Sequence, residues 1–99
     1  MFAYRTTWIV KEGRMQEALE LMSAAIDEGK PADAMARIYT PSISPNVLVF
    51  EEVWEDDASH EAFWKVYRGS PEGDSFFSQL YELAERSTGT ERWNVVEWR

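Results

Sequence analysis

With 99 residues and a mass of 11.5 kDa, the chain has room for one domain, and 44% hydrophobic residues, including five Trp, five Phe and four Tyr, supply enough apolar surface to fold rather than stay disordered. Ten Lys and Arg against eighteen Asp and Glu give a net charge of -8, which repels phosphate backbones and anionic membrane surfaces, so neither nucleic acid nor a membrane is an expected partner. The lack of cysteine excludes a disulfide framework, a thiolate nucleophile and a sulfur-ligated metal.

The first residues, MFAYRTTW, have no basic start followed by an apolar stretch and no small-residue cleavage site, so the chain is expected to be soluble, unprocessed and cytoplasmic. Residues 2 to 10, FAYRTTWIV, are aromatic and β-branched without Gly or Pro, which predicts a strand closed by Gly13. Met15, Ala18, Leu19, Met22 and Ile26 fall at i, i+3, i+4, i+7 and i+11, the stripe of an amphipathic helix that Gly29 and Lys30-Pro31 stop. Residues 36 to 43, ARIYTPSI, predict a second strand. Pro41 inside it cannot donate to a ladder and assigns it to a sheet edge. The turn signal Ser44-Pro45-Asn46 leads into VLVFEEVW, so residues 36 to 54 predict a hairpin.

Asp56 or Asp57 is placed to cap a helix running to about Arg68. Gly69, Pro71 and Gly73 interrupt it. Asp74 offers a second cap, and Phe76, Leu80, Leu83 and Ala84 continue a helical stripe to a stop at Gly89. Residues 91 to 98, ERWNVVEW, predict the last strand. The order strand, helix, strand, strand, broken helix, strand is the ferredoxin-like βαββαβ arrangement, an α+β fold with a four-stranded antiparallel sheet and both crossovers on one face.

The other face poses a problem. Val47 and Val49 point one way and Leu48 and Phe50 the other; Trp93 and Val95 oppose Val96 and Trp98; Phe2, Tyr4 and Trp8 oppose Ala3 and Ile9. At about 25 cal/mol per Å² of apolar surface, leaving one such face in water forgoes several kcal/mol. A chain with no spare strands most simply covers it with a second copy of itself, which predicts a homodimer packed sheet to sheet.

Three stretches carry a resemblance: WIVKEGRMQEALEL, VLVFEEVWEDDASHEAFW and RGSPEGDSFF. Across essentially the whole chain they resemble the dimeric α+β barrels, which include antibiotic-biosynthesis-type monooxygenase domains and NIPSNAP-like proteins. The resemblance implies the dimeric barrel and a range of functions: cofactor-free oxidation of aromatic substrates, haem degradation, isomerisation and stress-linked roles without assigned chemistry. The haem-degrading members carry an Asn on the first strand, where this chain has Thr6 and Thr7. Many monooxygenase-like members carry a His three residues before a Ser-Pro or Thr-Pro pair. Here Tyr67 occupies that position before Ser70-Pro71, and the only histidine, His60, lies two turns earlier.

His60, Phe63, Trp64 and Tyr67 are spaced i, i+3, i+4 and i+7 and share one sector of the helix. Facing a cavity, they form an aromatic wall with an imidazole able to move a proton near neutral pH; otherwise the rings are core packing and His60 is solvated. Arg5 and Arg37 either clamp an anionic group or pair with Glu51 or Glu52. Glu51, Glu52, Glu55, Asp56 and Asp57 crowd one stretch, but a strand sends successive carboxylates to opposite sides, there is no second His and the spacing matches no calcium loop, so no metal is expected. No serine sits in a nucleophile-elbow context, no Gly-rich phosphate loop exists and no cofactor is expected.

Three functions remain open. The first is a homodimer binding a small apolar or aromatic molecule without catalysis. The second is a cofactor-independent monooxygenase-like enzyme in which Trp8, Trp64 and Tyr67 hold an aromatic substrate and His60 takes a proton. The third is an assembly module with a filled interior.

Overall fold

A computed structural model describes residues 1–29 and 34–97. The elements run β1 (Phe2–Val10), α1 (Met15–Gly29), β2 (Met35–Tyr39), β3 (Val47–Trp54), α2 (Asp57–Arg68), α3 (Pro71–Leu83) and β4 (Ala84–Asn94). The strands form one antiparallel sheet in the order β2-β3-β1-β4, the ferredoxin-like order, so β2 lies at an edge as its sequence predicts. None of the helices among the described residues is long and apolar enough to cross a membrane.

Three boundaries differ from the sequence expectation. β2 ends at Tyr39, so Pro41 lies beyond the strand rather than inside it. α3 is capped by Ser70, whose hydroxyl accepts from the Gly73 amide at 3.0 Å, with Pro71 in the first turn; Asp74 lies inside the helix and adds acid to the positive end of its dipole. The third difference is the largest. The helix stops at Leu83, and Ala84 opens an eleven-residue strand that passes through Gly89, whose φ of +105° belongs to a strand irregularity and not to a helix end. β4 then ends at Asn94, so Val95 and Val96 lie past the sheet, Val96 being 91% exposed. Lys30, Pro31 and Trp98 lie outside the described residues. The α2 cap is Asp56, which accepts from the Ser59 amide at 2.7 Å.

α1 and α3 cover one face. Ala18 and Met22 of α1 meet Leu80 and Leu83 of α3 over Val10 and Leu48, all buried. α2 is different: it contributes no fully buried residue. Its C-terminus is joined tightly to α3 at Gly73, where a Cβ would fall 1.8 Å from the Tyr67 carbonyl oxygen, so only glycine admits this approach.

The opposite face carries no helix. Register sets its side chains in rows across the four strands. Met35, Val53, Ala3 and Trp93 form one row, Tyr39, Val49, Thr7 and Gly89 another. Between them runs Arg37, Glu51, Arg5 and Glu91, alternating in sign. Trp93 is 51% exposed, and Met35 and Tyr39 are also exposed.

Candidate functional site

Where α2 rises off the sheet, a cavity of about 540 Å³ remains between the sheet and the helices. It is lined by residues of all four strands and all three helices. Trp8, His60, Trp64 and Tyr67, the four residues singled out by sequence, all border it, and Phe63 joins them. The stripe on α2 is therefore a cavity wall rather than a filled core. Its rings are contiguous: Phe63 lies 5.3 Å from Trp64 and 5.7 Å from Tyr67, and Phe76 and Phe77 of α3 continue the wall at 5.1 Å from each other. These centroid spacings are those of offset and edge-to-face aromatic pairs.

The polar end of the cavity is Glu52. Strand alternation turns Glu52 toward the helices and Glu51 toward the open face. Only 8% of Glu52 is exposed. Two indoles hold its carboxyl: the Trp64 Nε1–H donates to Oε1 and Oε2 at 3.0 and 2.9 Å, and the Trp54 Nε1–H donates to Oε2 at 3.1 Å. Burial disfavours the ionised form and pushes the Glu52 carboxyl up to about 7, against the pull of the two indole hydrogen bonds and the more distant Arg68.

His60 stands beside it, with Nε2 3.7 Å from Glu52 Oε1. Burial holds the imidazole below its ordinary range, the charges of Asp57 and Glu61 working the other way. The ring lies parallel on Tyr4 at 3.7 Å between centroids and edge-on to Trp54 at 5.8 Å. Tyr4 is fixed in turn, its hydroxyl donating to Asp57, which takes a two-point contact from Arg92 at 2.9 and 2.8 Å. A carboxyl that titrates near neutrality next to a neutral imidazole is chemically able to accept a proton from a bound molecule or return one.

Of the two glutamates that the sequence offers as partners for a strand arginine, Glu51 takes that role and Glu52 does not. Arg5 pairs with Glu51 on the open face at 2.5 Å, and Tyr39 donates to the same carboxylate at 3.1 Å. Arg37 lies across from Glu51 in the β2–β3 register, so neither arginine reaches the cavity. Two cations border the cavity, Lys65 and Arg68, and the Arg68 guanidinium stands over Trp64 at 5.8 Å and Phe77 at 5.7 Å from the ring centroids. The available signals were the alternation at Glu51-Glu52 and the i+4 step from Trp64 to Arg68.

Neither a protein-family model nor a curated protein matches the chain. Solved structures do. A protein from Chloroflexus aurantiacus, provisionally named an antibiotic biosynthesis monooxygenase, superposes with a TM-score of 0.79 at 11% identity, over 99% of this chain and 95% of that one. A NIPSNAP family protein from Agrobacterium tumefaciens superposes at 0.80 and 15% identity, over 99% and 88%. The chain has the fold of these proteins. A conserved protein from Methanosarcina mazei reaches 0.77 at 21% identity, over 94% and 90%. The likeness covers every element of the sheet and helix layers, which agrees with the resemblance read from the sequence, and at such identities it speaks for the fold alone.

Proposed function

We propose that this protein is a homodimeric α+β barrel that binds a small, flat, largely apolar molecule between its sheet and helices. The observation that supports this reading is the cavity: its volume lies within the range of small-molecule sites, aromatic rings make up much of its wall, and Glu52 and His60 stand side by side in it. Dimerisation is supported by the rows that hold the exposed Met35, Tyr39 and Trp93, over which no helix among the described residues lies. Two measurements test the proposal. Calorimetric titration with 2-naphthol is expected to give saturable binding that the cavity-filling substitution Ala25→Trp removes. Sedimentation is expected to give a particle of twice 11.5 kDa at micromolar concentration; an 11.5 kDa particle of normal stability rejects the dimer.

A second reading is favoured by one specific feature, the contact of Glu52 with His60. In a monooxygenase-like reaction without cofactor, that pair takes the proton of an aromatic hydroxyl, and the electron-rich ring reacts with dioxygen. One oxygen atom forms a new bond to carbon, the O–O bond breaks, and the second oxygen leaves as water with two hydrogens from the substrate. Oxygen uptake with dihydroxynaphthalenes, lost in Glu52→Gln and reduced in His60→Ala, supports this reading; uptake unchanged in both variants rejects it.

A further inference from the structure

Three arginines of this acidic chain sit with carboxylates: Arg5 with Glu51, Arg14 with Glu17 and Arg92 with Asp57. Arg68 makes no close ion pair with a carboxylate among the described residues, its interaction with Glu52 being a distant one, and it is the arginine that borders the cavity. Its guanidinium stands over the faces of Trp64 and Phe77, and its in-plane N–H donors meet no acceptor among the described residues. At the other end Glu52 in its ionised form presents acceptors only, and both indole donors there are spent on it.

The two ends lie along one helix. His60, Trp64 and Arg68 fall at i, i+4 and i+8 on α2, a rise of about 12 Å along the axis. Helical side chains lean toward the N-terminus, which brings the Arg68 head back over Trp64 and shortens that span. The space between is aromatic wall, suited to a two-ring planar body. Glu52 calls for a hydrogen-bond donor on the molecule and Arg68 for a planar anion.

We propose that the cavity selects a hydroxylated aromatic carboxylic acid, its hydroxyl donating to Glu52 and its carboxylate held by Arg68 at the mouth. This rests on the reading of the cavity as a small-molecule site and adds the polarity of the ligand. Arg68 is exposed, so its replacement leaves the core intact. A cation there also explains how an acidic protein admits an acidic ligand: the attraction is local, and it falls with added salt.

Calorimetric titration at pH 7.5 with three probes, 6-hydroxy-2-naphthoate, 2-naphthoate and 2-naphthol, separates the possibilities. The hydroxynaphthoate is expected to bind about tenfold more tightly than either single-group analogue, each end contributing a charge-assisted hydrogen bond. In Arg68→Gln its affinity should fall to that of 2-naphthol while 2-naphthol itself is unaffected, and Arg68→Lys should keep only part of the gain, since an ammonium is no bidentate fork. If 2-naphthol binds but the hydroxynaphthoate gains nothing over it, or keeps its gain in Arg68→Gln, the proposal is overturned and the cavity reading stands. Equal binding of 2-naphthoate and its hydroxylated form also overturns it. Failure of all three probes to bind overturns both readings together.

Discussion

Glu51 and Glu52 are consecutive residues with the same side chain and opposite surroundings. Glu51 lies on the open face, neutralised by Arg5 and hydrogen-bonded by Tyr39. Glu52 lies under the helices, held by two neutral indoles and beside an imidazole that burial keeps neutral. Burial, only partly offset by the two indole hydrogen bonds and the distant Arg68, leaves the Glu52 carboxyl close to half-protonated near pH 7. What separates a salt bridge from a proton-handling group here is one step of strand pleat.

Paired substitutions across the pleat sharpen this contrast. The largest difference is expected for Leu48 and Val49. Leu48 is fully buried beneath α1 and α3, and Leu48→Ala should cost about 2–5 kcal/mol in denaturant unfolding. Val49, half-buried on the open face, should cost about 1 kcal/mol as Ala. Equal losses would mean that the two faces are equally well packed.

The next effect depends on pH. Glu52 titrates at about 7 in the folded chain and at an ordinary 4.5 when unfolded, so between those values the native state holds a proton that the unfolded state has released. Its contribution to stability is therefore fully present below pH 4.5, declines as pH rises through 7, and totals about 3 kcal/mol over that window. Glu52→Gln should match the parent near pH 4.5 and exceed it in stability at pH 8. His60, held below its ordinary range, contributes with the opposite sign as pH falls, and comparing the two proteins at each pH cancels it. A parent and a variant whose stability curves run parallel from pH 4.5 to 8 would remove the basis for treating Glu52 as a proton carrier. The smallest effect belongs to Glu51→Gln, about 1 kcal/mol or less and fading with salt, because its partner Arg5 is half exposed.

Most of the fold was legible because its signals are local and periodic. The α1 stripe, the Asp56 cap, the hairpin and the helix break at Gly69–Pro71 each follow from spacing or backbone chemistry within a few residues. The beginning of β4 was not, since Ala84–Gly89 carries no alternation and its residues are exposed on both sides after Ala84; pairing with β1 makes it a strand, and that is a contact between distant parts of the chain. The site was half legible. The ring spacing on α2 placed His60, Trp64 and Tyr67 together, but the importance of Glu52 depends on which side of the sheet the helices cover, and the place of Arg68 on where α3 meets α2.

The row Arg37, Glu51, Arg5, Glu91 has a consequence for any second copy laid on the open face. Read from the β2 edge its signs run plus, minus, plus, minus, and reversed they run minus, plus, minus, plus. A half-turn about a line parallel to the strands sets each arginine against a glutamate, whereas a half-turn about a line along the row sets like against like. Hydrocarbon on either side would reward both orientations, so these four side chains act as a polarised key that admits one of them.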